Sequence, residues 1–169
     1  MTPLPRLAAL ATAVPEHRID AATARAFARE QFAALPGIDR LLPAFAHAGI
    51  ATRHLVRPLD WYAQPRSFAE KNALWRSSAL ALAQAAGEAA LARWSGHRDR
   101  LRGIVWVTST GIATPSLDAT LIQALGLPRA LQRVPVWGRG CAGGAAGLAR
   151  AAALCRGLST PVLLLAAEI

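Results

Sequence analysis

The sequence predicts an α/β domain built around a mainly parallel sheet. Three observations predict it. Apolar runs of strand length recur at residues 104–109 (IVWVTS), 133–137 (RVPVW) and 161–167 (PVLLLAA). Segments rich in Ala and Leu, of helix length, separate them. The last run is apolar without alternation, as a strand covered on both faces should be. Strands alternating with helices imply parallel pairing, because each crossover needs a long connection. At 169 residues, 53% of them apolar and 17% charged, the chain is long enough for its own core. That apolar share is high for one domain. Either the helices are buried on several sides, or a partner surface covers them.

Residues 6–14 (RLAALATAV) read as a first buried strand rather than a secretory leader; the apolar run is at the short limit for a leader and ends at Pro15. A helix follows over 20–34 with Asp20 as N-cap, and Pro36-Gly37 breaks it. One short helical piece spans 38–48. Residues 50–58 read as extended and basic, and 61–65 as loop. The pattern over 67–94 is a long amphipathic helix with Gly87 as an interior weak point. The run HRDRLR at 97–102 reads as a solvated connection. After the strand at 104–109, a turn leads to a helix that Ser116 caps and Gly126 closes. Then come RVPVW, a glycine turn, an Ala-rich helix to Gly157, and the last strand. The sequence stops two residues later, at Ile169, so we read residues 1–169 as the N-terminal domain of something longer.

The formal charge is +9, and Lys71 is the only lysine. The arginines are scattered and no nucleic-acid motif accompanies them, so no nucleic-acid partner is expected. No run approaches the roughly 18 apolar residues of a membrane span, so no membrane role is expected and the default location is cytoplasmic. If 142–157 is one helix, Cys141 and Cys155 lie about 21 Å apart, whereas a disulfide needs Cα atoms within about 7 Å. Cys155 reads as a small buried hydrophobe. The histidines, His17, His47, His54 and His97, read as surface or loop residues. No metal site and no bound cofactor are expected.

Cys141 is different. It sits in GRGCAGGAAGL (138–148), between a strand and an Ala-rich helix. That order places a thiol at a helix N-terminus, where unpaired N–H groups and the helix dipole favour thiolate. A thiolate so placed is a nucleophile for acyl groups. Gly140, Gly143 and Gly144 let the chain turn and let a bulky substrate approach. The small residues behind the cysteine permit close packing, so this helix is expected to be central and buried. Gly138, Gly140 and Gly143 fit a G-x-G-x-x-G spacing loosely. A dinucleotide fold would also need an acidic residue at a set interval, and none comes until Glu168.

The stretches VTSTGIATPSLDATLIQALGL, RVPVWGRGCAGGAAGLARAA and PVLLLAAE, in that order and spacing, resemble the type III polyketide synthases, the chalcone and stilbene synthase family of thiolase-like enzymes. PLPRLAALATAVPEH and GIATRH resemble the family's N-terminal region more loosely. The likeness covers essentially all of this chain but about half of a family member. It implies a thiolase-like fold whose buried central helix starts at the nucleophile. It also implies that Cys141 accepts an acyl group from coenzyme A, and that decarboxylated malonyl-CoA then attacks the thioester. Ser109 and Thr110 fall where the family lines its substrate pocket, and Thr114 in a loop that reaches across a homodimer. Arg40 and His47 fall near positions that are basic for coenzyme A phosphates, with Arg53 close by. Arg139 departs from the apolar or amide residue expected there. The family's catalytic histidine and asparagine match nothing in this chain and are expected from sequence after Ile169, so the chain alone is not expected to condense. Two rival readings are an initiating ketoacyl-carrier-protein synthase or another thiolase-like condensing enzyme, and a non-catalytic assembly subunit.

Overall fold

The structure, a computed structural model, describes residues 4–169. The chain divides into two compact units, Val14–Arg66 and Ser67–Ile169, the latter including the N-terminal segment.

In the Val14–Arg66 unit, β1 (His17–Asp20) and β2 (Thr52–Leu55) pair antiparallel, with His17 opposite Leu55 and Asp20 opposite Thr52. Between them lie α1 (Ala21–Gln31), α2 (Ile38–Leu41) and α3 (Ala44–His47). Asp20 caps α1 as expected, its Oδ1 accepting from Thr23 N at 2.7 Å. That backbone hydrogen bond holds the Asp20 carboxyl below its ordinary value. The single helical piece expected over 38–48 is two helices. Pro43, which has no N–H to continue a ladder, precedes the second of them. Residues expected as loop form α4 (Leu59–Ala63), opened by Pro58.

In the Ser67–Ile169 unit, three strands make a parallel sheet in the order β4-β3-β5: β3 (Gly103–Thr108), β4 (Gln132–Trp137) and β5 (Val162–Ala166). Trp106 lies opposite Pro135 on one side and Leu165 on the other. A proline has no N–H for the ladder, which suits β4 at the sheet's edge. The long helix α5 (Phe68–Arg93) opens with a capping box. Glu70 N donates to Ser67 Oγ, and Ser67 N donates to Glu70 Oε2 at 2.9 Å.

Trp75, Ala79, Ala83, Gly87 and Leu91 recur every fourth residue and are the buried stripe of α5. They join Ile104, Trp106, Leu163, Leu165 and residues of α6 (Asp118–Ala124) in one core. Gly87 is a packing site rather than a weak point: a Cβ there would lie 3.0 Å from Leu125 Cδ1. On the other face of the sheet, α7 (Gly143–Leu158) lies close. A Cβ on Gly147 would sit 2.6 Å from Val107 Cγ2, and one on Gly143 2.9 Å from Val107 Cγ1.

Further expectations need correction. Ser116 does not cap α6, whose N-cap is Leu117 with no side-chain cap. The last strand is not covered on both faces: β5 is buried at Leu163 and Leu165, while Ala166 is exposed. Residues 6–14 form no strand ladder, and a strand without paired neighbours is not a strand. Leu7 and Leu10 are exposed there, and Arg93 Nη1 donates to Leu10 O at 2.7 Å. Helix α7 covers the sheet but is buried only at Gly143 and Gly147; its outer face, with Leu148, is exposed. The run at 97–102 is not simply solvated. Leu101 is buried, and Arg98 bridges Glu88 and the carbonyl of Leu125 (Nη1···O 2.6 Å).

Candidate active site

Parallel strands end together, so the loops that follow them cluster at one edge of the sheet. Here the loop after β3 begins Ser109-Thr110-Gly111, the loop after β4 is the Cys141 turn, and β5 leads into Glu168. Hydrogen bonds join all three. Gly140 N donates to Ser109 Oγ at 2.9 Å. Ser109 N and Thr110 Oγ1 both donate to Glu168 Oε2, at 2.9 and 3.0 Å. Thr108 Oγ1 donates to Ala167 O at 2.9 Å beneath them.

The Cys141 turn depends on glycine for two separate reasons. Gly138 (φ 75°) and Gly140 (φ 50°) adopt left-handed backbone with open space around them, so their need is conformational. Gly143 has ordinary φ, and its need is room against Val107. Gly144 has nothing within 4 Å where a Cβ would stand. A 3-10 turn, Gly140–Ala142, carries the thiol, and α7 starts at Gly143, two residues past the cysteine. Cys141 is exposed on that turn, and Cys155 is half-buried within α7; neither is in a disulfide.

The structure therefore brings Cys141, Ser109 and Thr110 together. It adds Glu168, which the sequence reading weighed only against a dinucleotide site. The signal available was a carboxylate directly after an apolar parallel strand, at the edge where functional groups gather. Arg139 is exposed. Thr114 is exposed too, before a cis peptide to Pro115. Arg40 and His47 are exposed at the ends of α2 and α3 in the Val14–Arg66 unit. In that unit Arg53 stacks over Phe45 at 4.9 Å. Three histidines belong to that unit, and His97 precedes β3, at the opposite edge of the sheet from Cys141. Among the described residues no group of three His, Cys, Asp or Glu could hold a metal, and no helix is long and apolar enough to cross a membrane.

A second feature lies behind the loop. Gly111 and Ile112 line an apolar cavity of about 230 Å³ together with Trp75, Trp106 and Trp137. The loop is fixed over it by polar contacts. Asn72 Nδ2 donates to Ile112 O and Asn72 Oδ1 accepts from Ile112 N, both at 2.9 Å. Trp137 Nε1 donates to Gly111 O at 3.0 Å.

The fold and site together define an α/β protein with an exposed thiol on a glycine turn at the carboxyl edge of a parallel sheet. The sequence profile of the N-terminal domain of chalcone and stilbene synthases matches residues 60–169. The chain belongs to this family, the type III polyketide synthases, and its fold is the thiolase-like fold of their N-terminal half. It is 42% identical over 149 residues to 1,3,6,8-tetrahydroxynaphthalene synthase of Streptomyces peucetius, covering 85% of this chain and 38% of that enzyme. The crystal structure of the tetrahydroxynaphthalene synthase of Streptomyces coelicolor superposes with a TM-score of 0.89 at 27% identity, over 97% of this chain and 47% of that one. CsyB of Aspergillus oryzae complexed with CoA-SH superposes with a TM-score of 0.83 at 29% identity, over 96% of this chain and 46% of that one. The chain spans about half the length, or less, of the curated relatives it matches.

Proposed function

We propose that Cys141 is the acyl-accepting nucleophile of a type III polyketide synthase. The thiolate attacks the carbonyl carbon of an acyl-CoA. A Cys141–acyl thioester forms, the bond to the coenzyme A sulfur breaks, and coenzyme A leaves as the thiolate and takes up a proton. Malonyl-CoA then loses carbon dioxide, and its enolate carbon attacks the acyl carbonyl. A carbon–carbon bond forms, the bond to Cys141 Sγ breaks, the Cys141 thiolate is regenerated, and the extended chain remains a thioester of coenzyme A. Ser109 and Thr110 line the acyl pocket beside the thiol, and Arg40 and His47 meet coenzyme A phosphates. No metal and no bound cofactor take part. The working protein is a cytoplasmic homodimer.

One observation carries this reading. In a member of the condensing-enzyme family, an exposed thiol stands on the turn that Ser109 ties to the carboxyl edge of the sheet. The CsyB complex with CoA-SH supports coenzyme A as the acyl carrier. None of the four histidines sits on the turns around Cys141; the acidic group gathered there besides the thiol is the Glu168 carboxylate.

The test is acyl transfer to the chain itself. After incubation with an acyl-CoA, peptide mass spectrometry should find the acyl group on the Cys141 peptide, and none there in Cys141→Ser. No adduct, or one shared equally with Cys155, would overturn the proposal.

A further inference from the structure

We infer that Asn72 is a positioning residue for the Cys141 turn, acting through the loop that carries Ser109 and Thr110; this rests on Cys141 being the thiol that accepts the acyl group. Asn72 lies in the second turn of α5, forty residues from its partner. Its carboxamide spends a donor and an acceptor on one residue, holding Ile112 O and Ile112 N at 2.9 Å each. An amide side chain offers that donor–acceptor pair on two atoms bonded to one planar carbon.

The loop needs such a clasp. Gly111 and Ile112 line the cavity, and Ile112 itself is half exposed. Gly111 lies so close to Trp75 that a Cβ would fall 1.9 Å from the ring, so no side chain can anchor the loop there. Two polar groups hold its Gly111–Ile112 part, the Asn72 amide on Ile112 and the Trp137 indole on Gly111 O at 3.0 Å, while Glu168 holds Ser109 N and Thr110 Oγ1. Three residues before Ile112, Ser109 Oγ accepts from Gly140 N, the amide next to Cys141. The left-handed glycines 138 and 140 have no side-chain packing of their own, so between β4 and Gly143 the turn is tied to the loop after β3 by that bond. The path runs from Asn72 through Ile112, Gly111 and Ser109 to Gly140.

A merely structural bond would change stability alone. A positioning bond changes a reaction that depends on geometry and spares one that depends only on exposure. Two rates separate these in the full chain: acyl transfer from acyl-CoA to Cys141, and reaction of Cys141 with dithiodipyridine, a small thiol reagent. Asn72→Ala should slow acyl transfer about three- to tenfold, the worth of a net hydrogen bond, and leave the reagent's rate nearly unchanged. Trp137→Phe, at an exposed residue, should act in the same direction without disturbing the fold. Asn72→Asp gives a second readout. Ionised, it has acceptors only and faces the Ile112 carbonyl, so it should resemble Asn72→Ala. Protonated near about pH 4, it regains one donor and one acceptor, and its rate relative to the unmodified chain should recover.

If the unmodified chain transfers no acyl group to Cys141, the functional reading falls, and this inference with it. If it does, while the folded Asn72→Ala and Trp137→Phe chains transfer at its rate, the inference alone is overturned. Failure of Asn72→Asp to recover in acid overturns it as well. Should Asn72→Ala not fold, Trp137→Phe and the acid recovery of Asn72→Asp decide the matter.

Discussion

The two units of this chain reach order by different physics. The Ser67–Ile169 unit is built on shared burial. All sixteen residues of its core cluster lie between Trp75 and Ala167, and β3 is buried at every position. The Val14–Arg66 unit holds, among the described residues, only Ala24 and Leu42 as buried apolar side chains. Its short elements rely on local devices: the Asp20 cap, the Arg29–Asp39 pair at 2.5 Å, and Arg53 over Phe45. Distributed packing tolerates no change of volume, whereas local contacts can be deleted singly at small cost. The site thiol and its supporting hydrogen bonds all stand on the packed unit.

The sharpest way to break this comparison is inside the packed unit. Trp106, 1% exposed at the centre of β3, should cost about 3–5 kcal/mol when replaced by Ala, read from denaturant unfolding. Trp137, 61% exposed on the edge strand of the same sheet, should cost under about 1 kcal/mol. Equal losses would mean that burial does not organise the sheet.

A smaller effect tests volume within one helix. Gly147→Ala forces a methyl to within 2.6 Å of a stiff, buried Val107 and should cost about 1–3 kcal/mol. Gly144→Ala, three residues away with open space around it, should be neutral or add up to about 1 kcal/mol. If both behave alike, the glycines serve the backbone and not the helix–sheet approach. A charged pair tests the same unit. Asp118 is fully buried and accepts from Arg133 Nε at 2.5 Å and from Nη2 at 3.2 Å. That hydrogen bond also holds the Arg133 guanidinium above its ordinary value. Arg133→Ala leaves the buried carboxylate with Ser116 alone. The loss should be about 1–3 kcal/mol, less than for a wholly buried pair because Arg133 is partly solvated.

What the sequence made legible follows the same division. The strand at 103–108 and the helix at 68–93 could be read because burial writes a pattern: a solid apolar run, or a stripe every fourth residue. The edge strand at 132–137 has no buried residue and that at 162–166 is buried at alternate positions, so these were legible from their apolar side chains and not from burial on both faces. The Cys141 turn was legible from its glycines, although Gly143 turned out to serve packing. Residues 6–14 have the composition of a strand, but composition cannot supply a partner edge. The split at Pro43 and the helical turn at 59–63 are local choices of a few tenths to one kcal/mol each, below what periodicity resolves. Glu168 and Asn72 were illegible as site residues for a different reason. Each acts on backbone groups far away in sequence, and only the fold brings them together.

The smallest effect belongs to the locally held unit and depends on pH. The Thr23 N–H favours the ionised Asp20 carboxylate, so its folded value is lowered from 3.8. A lowered folded value means that the cap's contribution is fully present above 3.8 and fades as pH falls through the lower folded value. Opening of α1, followed by exchange of its backbone amides, should therefore increase on acidification below that range while exchange in β3 stays slow. Asp20→Asn keeps an uncharged cap oxygen and should hold α1 closed across the same range. Asp20→Ala has no cap at any pH and should show a more open α1 with no step from this group. If α1 in Asp20→Asn opens with acid just as it does in the unmodified chain, the cap is not what orders this helix. The Val14–Arg66 unit would then owe its order to something other than its local contacts.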